Sequence, residues 1–305
     1  MKKMAATPHK INSISDLHRL LGLPKPLHPM ISLVQNCNVN VVKDEFPETL
    51  VLHFYKISFI EDMRGKVKYG QSYYDFDEGG MVFVSPGQLL TAEPDADEYK
   101  GFNLFVHPDF LRGHSIASTI EKHHFFTYSA NEALHLSDKE RTRIMTVFKG
   151  IEEELESGID SSSRDVLIAQ LELLLNYSSR FYKRQFTTRQ VLNNDLLVKL
   201  EQLLDNYFEN EMTLTNGLPT VQYLAGELHV SPHYLSDMLR SQTGQNAQQL
   251  IHSKLISRAK LLLSNTSLTV AEVAYQLGFE YPQSFNKLFK QKTSVSPLDF
   301  RKTFR

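Results

Sequence analysis

The residues TVQYLAGELHVSPHYLSDMLRSQTG, at positions 220–244, predict two short helices joined by a tight turn. Apolar residues recur at helical spacing on both sides of the turn. Ser231 is placed to cap the second helix, and Pro232 suits its first position. His229 is a residue type that tolerates the left-handed backbone of such turns, and small Ala225 lets the helices cross closely. The stretch is therefore typical of a helix-turn-helix unit, whose second helix enters the major groove of DNA.

The same arrangement recurs in TVAEVAYQLGFEYPQSFNKLFKQK, at positions 269–292. Thr269 and Glu272 have the spacing of a capping box, Gly278 supplies the turn, and a second helix begins at Pro282. Residues 245–264, between the two units, have the pattern of a single helix about 30 Å long. One turn of B-DNA is roughly 34 Å. The spacing therefore predicts a bipartite DNA reader, with the second helix of each unit in successive major grooves on one DNA face.

The charge of the chain is concentrated near its C-terminal end. The 305 residues carry a formal net charge of -2, which by itself disfavours a nucleic-acid partner because phosphate contacts require clustered cations. From Arg240 onward, however, ten basic residues stand against three acidic ones, a local charge of +7. A basic C-terminal quarter on a nearly neutral chain indicates a localised nucleic-acid-binding surface.

These C-terminal residues together resemble the AraC/XylS family of bacterial transcription regulators. The matching residues, over about 85 positions, are Leu224-Ala225, Ser231-Pro232, Tyr234-Leu235-Ser236, Thr243-Gly244, Ala259, Leu262-Leu263, Ala274, Gly278-Phe279, Phe285, Phe289-Lys290, Pro297 and Phe300-Arg301. Two departures are Leu239, where the family usually has Phe, and Ser294, where it usually has Gly. A left-handed helix cap is strained at serine, so we expect the turn at Ser294 to differ locally.

The resemblance implies which side chains meet DNA. Base edges would be contacted by Ser231, His233, Ser236, Asp237, Pro282, Gln283, Ser284, Asn286 and Lys287. Phosphates would be contacted by Arg240, Lys254, Arg258, Lys290 and Lys292. By their chemistry, Gln283 and Asn286 suit adenine and Lys287 suits guanine or phosphate. Asp237 could accept a hydrogen bond from cytosine but would repel phosphate.

The whole chain is predicted to be an α+β protein with an N-terminal cupin-like β-barrel. We expect a lead-in segment at 1–30, the barrel sensor domain at 31–136, a helical extension or dimerisation segment at 137–190, and at 191–305 an all-α double helix-turn-helix domain with a long connecting helix. In the barrel, turn signals stand at Arg64-Gly65, Gly79-Gly80 and Pro86-Gly87 between short β-rich runs. The segment YYDFDEGGMVFVSPGQ, at 73–88, resembles a strand-turn-strand unit of cupin-type sensor domains, which either hold a small ligand or are filled with side chains.

Two amphipathic helices are predicted after the barrel. Ser137 and Glu140 have capping-box spacing ahead of the first, and the second spans about residues 164–183. The second helix is apolar over most of its circumference, more than a lone surface helix requires. Its apolar positions either pack onto the β-rich domain or form a dimer seam, and the sequence leaves both readings open.

Enzymatic activity is not expected. A metal-dependent cupin enzyme would need clustered histidines, which typically begin with a His-x-His pair, and here His53 is followed by Phe54 and Tyr55. No nucleophile elbow, zinc-protease pair or phosphate loop is found in the sequence, so we predict no catalytic residues, no metal and no cofactor. A single cysteine, Cys37, cannot form an internal disulfide, and the chain shows neither a signal peptide nor a membrane-spanning stretch. We therefore expect a cytoplasmic protein.

The predicted partners follow from the family resemblance. It implies a homodimer that binds double-stranded promoter DNA, recruits RNA polymerase and responds to a small-molecule effector in the barrel. In the alternative, the barrel is a protein-interaction or dimerisation module with no effector. The sequence leaves open the effector, the operator and the choice between activation and repression.

Overall fold

The computed structural model describes residues 8–36, 39, 46–63, 66–69, 72–75, 79–91, 99–157, 160, 162–188 and 190–304. Cys37 and the predicted turn at Arg64-Gly65 lie outside these residues. The chain divides into two compact units, Met1–Gln185 and Phe186–Arg305. None of the helices in the described ranges is both long enough and apolar enough to cross a membrane.

The first unit combines β-sheets with helices, which confirms the α+β class. Its strands are β1 (His9–Ile11), β2 (Ile31–Gln35), β3 (Thr49–Leu52), β4 (Tyr55–Met63), β5 (Lys66–Tyr69), β6 (Ser72–Asp75), β7 (Gly80–Val84), β8 (Leu89–Thr91), β9 (Tyr99–Val106) and β10 (Leu134–His135). Its helices are α1 (Ile14–Leu20), α2 (Pro108–Leu111), α3 (Ile116–Thr119), α4 (Asp138–Glu156) and α5 (Ser163–Thr188).

The strands form three sheets, none of which closes on itself among the described residues. The sheet orders are β1-β3-β8, β10-β7-β4-β9-β2 and β5-β6. A barrel requires its first and last strands to pair, and β10 and β2 stand at opposite ends of the five-stranded sheet. The predicted cupin-like barrel is therefore not confirmed. The alternating sequence pattern predicts where strands lie along the chain, but it does not show which strands pair with each other.

The start of the chain contributes to the core of the first unit. Strand β1 pairs in parallel with β3, from His9 opposite Leu50 to Ile11 opposite Leu52. Helix α1 starts after Ser13, whose hydroxyl accepts from the backbone N–H of Asp16 at 3.1 Å. The buried face of this helix joins a hydrophobic cluster formed by Ile11, Ile14, Leu17, Val34, Leu50, Leu52, Phe54, Val84, Leu90 and Phe105.

Helices α4 and α5 pack onto the β-rich part of the unit, as one of the two sequence readings predicted. Glu140 accepts from the backbone N–H of Ser137 at 2.9 Å, as a capping box requires. On α5, Leu167, Leu171, Leu174 and Leu175 are buried. The Gln185 amide bridges two backbone groups near β10: it donates to the carbonyl of Ala133 at 3.1 Å and accepts from the N–H of His135 at 2.8 Å. Two apolar α5 side chains stay outside this packing: Val166 is 39% exposed and Leu173 is 44% exposed.

The second unit is all-helical among its described residues. Its helices are α6 (Gln190–Glu209), α7 (Met212–Asn216), α8 (Val221–Glu227), α9 (Pro232–Thr243), α10 (Ala247–Asn265), α11 (Val270–Gln276), α12 (Pro282–Thr293) and α13 (Pro297–Lys302). The pairs α8–α9 and α11–α12 are the two predicted helix-turn-helix units, and α10 is the predicted connecting helix. With 19 residues, α10 spans about 28 Å.

Candidate nucleic-acid interface

The turn of the first helix-turn-helix unit, between α8 and α9, is built from the predicted residues. The Thr220 hydroxyl caps α8 by accepting from the N–H of Tyr223 at 3.1 Å. His229 adopts the left-handed conformation, with φ of 56°. Ser231 caps α9 by accepting from the N–H of Tyr234 at 3.3 Å, and Pro232 occupies the first turn of the helix. The short turn and the two caps fix the direction in which α9 leaves the unit.

The turn of the second helix-turn-helix unit, between α11 and α12, is built in a similar way. The Thr269 hydroxyl accepts from the N–H of Glu272 at 3.2 Å, and the Glu272 carboxylate accepts from the N–H of Thr269 at 2.6 Å. Hydrogen bonds from Thr269 to the Glu272 carboxylate, the larger effect from the backbone N–H and the smaller from the side-chain hydroxyl, hold the pKa of Glu272 below its ordinary value. Gly278 supplies the turn with φ of 89°. A capping box and a glycine turn, both predicted from the sequence, thus position α12.

Helix α12 presents a polar stripe on its outer face. Phe285 and Phe289 are buried, at 1% and 0% exposure, and hold the inner face against the unit. Four predicted base contacts lie on the other side and are exposed: Gln283, Ser284, Asn286 and Lys287. Pro282 is half-buried at the first position of the helix. A helix anchored by aromatic residues and exposing amide, hydroxyl and ammonium groups has the form of a groove-reading helix.

The predicted base contacts on α9 are less uniform. His233 is exposed and Ser236 is half-buried. The Asp237 side chain is 19% exposed, and its carboxylate lies 3.1 Å from the Arg240 guanidinium. Ser231 is only 7% exposed, and its hydroxyl serves the N-terminus of the helix. The structure therefore gives Ser231 a capping role.

The predicted phosphate contacts fall into two groups. Arg240 and Lys254 are in ion pairs within the protein: Arg240 with Asp237, and Lys254 with Asp205 of α6, where the ammonium lies 2.5 Å from the carboxylate. Arg258 is half-buried, whereas Lys290 and Lys292 at the end of α12 are exposed. The ion pair to Asp205 joins residues distant in sequence, so no local pattern indicated it.

The end of α12 corrects one expectation. Ser294 was expected to avoid the left-handed conformation, yet it adopts it, with φ of 65°. Its N–H donates to the carbonyl of Lys290 at 2.8 Å, which satisfies one of the open carbonyls at the helix end. The backbone strain of a serine in this region, about 1–2 kcal/mol, is outweighed by this bond and by the buried Phe289 and Pro297 on either side. Gly244 ends α9 with the same geometry, φ of 74°.

One exposed aromatic residue at the interface was not among the predicted contacts. Tyr281 occupies the cap position of α12, is 61% exposed, and makes no side-chain capping hydrogen bond. The sequence signal was available, since an aromatic residue directly before Pro282 stands where the reading helix begins.

Comparisons with known proteins agree with this geometry. A family model for a helix-turn-helix domain matches residues 224–303. The transcriptional activator RhaS of Salmonella agona is 28% identical over 158 residues, in a match that covers 50% of this chain and 51% of RhaS. The homologous activator of Salmonella paratyphi B matches over the same share at the same identity. The chain thus spans about half the length of these relatives.

Solved structures with similar C-terminal parts include the C-terminal domain of the response regulator yesN from Fusobacterium nucleatum. It is 32% identical, covers 33% of this chain and 96% of its own, and has a TM-score of 0.29. The DNA-binding domain of AdpA in complex with a target DNA is 24% identical, covers 35% of this chain and 92% of its own, and has a TM-score of 0.31. The family model identifies residues 224–303 as a helix-turn-helix domain of the AraC type, and the relatives that match about half of the chain are transcriptional activators by name.

Proposed function

We propose that this chain is a transcription regulator that binds duplex promoter DNA through the outer faces of α9 and α12. The observation that carries the proposal is the polar stripe of α12, in which Gln283, Asn286 and Lys287 are exposed while Phe285 and Phe289 are buried. These amide and ammonium groups lie on the exposed side of a helix whose inner face is anchored. Base edges in a major groove present complementary donors and acceptors.

Each exposed side chain of α12 suits a particular base. Gln283 and Asn286 can donate to N7 of adenine and accept from its amino group. Lys287 can donate to O6 and N7 of guanine. Tyr281 offers an aromatic ring to the methyl group of thymine at the edge of the site. On α9 the corresponding groups are His233, Ser236 and Asp237, while Ser231 and Pro282 hold the starts of their helices.

The spacing of the two reading helices favours a two-part operator. The connecting helix α10 spans about 28 Å, somewhat less than the roughly 34 Å of one turn of B-DNA. We propose that α9 and α12 enter successive major grooves, with Lys290, Lys292 and Arg258 on the intervening phosphates. The relatives are activators by name, and we propose activation for this chain as well, with RNA polymerase as the partner.

The DNA-binding proposal is tested by selecting bound sequences from a random duplex pool and repeating the selection at several salt concentrations. We expect a consensus of two short blocks centred roughly 10–10.5 base pairs apart. We also expect an affinity that falls steeply with salt, because lysine and arginine displace counterions from phosphates. A pool that shows no enrichment at any salt concentration would overturn the proposal.

We propose that the first compact unit, Met1–Gln185, mediates homodimerisation through the exposed α5 side chains Val166 and Leu173. The two residues are seven positions apart, which places them on the same face of the helix. The test is sedimentation of wild type beside a Val166→Asp, Leu173→Asp double variant. A dimer that becomes a monomer supports the proposal, and a double variant that still forms the wild-type dimer overturns it.

The first compact unit, Met1–Gln185, has two candidate roles. In our proposal it binds a small-molecule effector. The alternative, a protein-interaction module with no effector, is favoured by the aromatic packing of its interior: Phe59 and Phe102 each stack on Phe148 with ring centres 5.7 Å apart. The test compares the DNA affinity of the full chain with and without a low-molecular-mass cell extract. A shift in affinity supports an effector, and an unchanged affinity supports the alternative.

A further inference from the structure

The two reading helices differ in charge. Helix α12 carries Lys287, Lys290 and Lys292 and no acidic residue, whereas the charged residues of α9 are Asp237 and Arg240. The contrast extends beyond these helices. Residues 190–244 contain seven acidic and two basic side chains, while residues 245–305 contain three acidic and nine basic ones. The excess of basic residues in the C-terminal region therefore lies in its second part, residues 245–305.

Two of the predicted phosphate contacts have acidic partners within the protein. The Arg240 guanidinium lies 3.1 Å from the Asp237 carboxylate, and the Lys254 ammonium lies 2.5 Å from that of Asp205. Among the described residues, none of the three α12 lysines is in an ion pair. Asp299, on the neighbouring α13, pairs with Lys302 at 3.6 Å and also interacts at longer range with the charge of Lys290.

This difference decides how much each cation gains from a phosphate. A lysine that meets a phosphate releases a condensed counterion, and each contact steepens the salt dependence by about 0.9 in the logarithmic slope. An arginine that already faces a carboxylate exchanges one anion for another, and the carboxylate itself repels the phosphate. Arg240 therefore gains less than Lys290, even though both side chains reach the surface.

We propose that the two helix-turn-helix units divide the recognition of DNA. The second, α11–α12, supplies most of the electrostatic affinity. The first, α8–α9, acts as a selectivity filter through Asp237. This proposal rests on the proposed function. Asp237 opposes binding wherever its carboxylate meets only phosphate or base acceptors. The opposition is relieved where a base amino group, above all N4 of cytosine, donates to it.

The packing of α9 supports this role for Asp237. Leu235, Met238 and Leu239 are fully buried and fix the rotation of the helix. Asp237 and Arg240 are three residues apart and lie along one side of α9. The Asp237 side chain is 19% exposed, and its carboxylate is held beside the Arg240 guanidinium.

The experiment measures the dissociation constant of the full chain on random duplex at several salt concentrations. The matched variants Lys290→Gln and Arg240→Gln each remove one cation and keep a polar side chain of similar length. We expect Lys290→Gln to reduce the salt slope by about 0.9, and Arg240→Gln to reduce it by less than half as much. Equal reductions by the two variants would overturn the division of roles.

Asp237→Asn supplies the second arm, because it keeps the shape of the side chain and removes its charge. We expect this variant to bind random duplex several-fold more tightly than wild type, with a steeper salt slope, since Arg240 is released. On the selected site we expect it to lose preference at one base pair. Weaker binding of the variant to random duplex would overturn the filter. A wild-type chain that shows no salt-dependent binding to any duplex would instead overturn the proposed function itself.

Discussion

A Cβ atom placed on Gly278 would lie 2.7 Å from the carbonyl carbon of Gly217. The turn of the second helix-turn-helix unit thus meets the end of α7 backbone against backbone. The neighbouring Thr213 hydroxyl donates to the carbonyl of Gln276 at 2.8 Å, in the same contact between α7 and α11. These contacts set where α12 starts, so the geometry of the proposed DNA interface depends on this glycine.

We predict that Gly278→Ala destabilises the second compact unit, Phe186–Arg305, by about 2–4 kcal/mol. The loss comes from overpacking together with the positive φ at this residue. The measurement is the free energy of unfolding in urea. Gly226→Ala is the matched control, because nothing lies within 4 Å of a Cβ at this exposed position in α8. There we expect a gain of about 0.5–1 kcal/mol. Similar effects of the two substitutions would contradict the close contact with Gly217.

Ser231 is predicted to act on stability and not on base preference. Its hydroxyl caps α9, and the loss of such a cap to alanine costs ~1 kcal/mol, whereas replacement by glycine costs a few tenths. We expect Ser231→Ala to lower the free energy of unfolding by that amount and Ser231→Gly to lower it less. Neither variant should change the base preferred at any operator position. If either variant changed the free energy of base discrimination by more than it lowered the free energy of unfolding, Ser231 would again count as a base contact.

The Glu272 capping box predicts a dependence of stability on pH. The pKa of this carboxyl is lowered in the folded protein by its hydrogen bonds to Thr269. A lowered folded pKa contributes stability above the unfolded value, ~4.3, and that contribution is lost as the pH falls through the folded pKa. Glutamine keeps the capping geometry without the charge. We expect wild type to be more stable than Glu272→Gln at pH 7 and to lose that advantage in acid. A difference in unfolding free energy that stays constant with pH would refute this.

The sequence predicted features that depend on neighbours along the chain. The caps at Ser231 and Thr269, the left-handed His229 and the connecting helix α10 are each written in a few adjacent residues, and the structure confirms them. The outward stripe of α12 was equally accessible, because helical periodicity alone separates Phe285 and Phe289 from the polar positions.

Features that depend on distant residues were not accessible. The closure of a β-barrel is a matter of which strand ends pair, and the open order β10-β7-β4-β9-β2 was not visible in the strand pattern. The ion pair of Lys254 with Asp205 joins two helices and changes a predicted phosphate contact into a partnered cation. Ser294 shows a third limit: local strain argued against its conformation, and the surrounding packing decided otherwise.

In the proposed complex, exposed amides on α12 read bases while neighbouring lysines hold phosphates. The most direct measurement compares Gln283→Ala with Lys290→Ala on the selected operator, on its single-base variants and on random duplex. We predict that Gln283→Ala loses discrimination at one base pair, about 1–3 kcal/mol, and leaves binding to random duplex unchanged. Lys290→Ala should weaken binding to every duplex alike. Equal losses for both variants on operator and random duplex would refute these roles of Gln283 and Lys290.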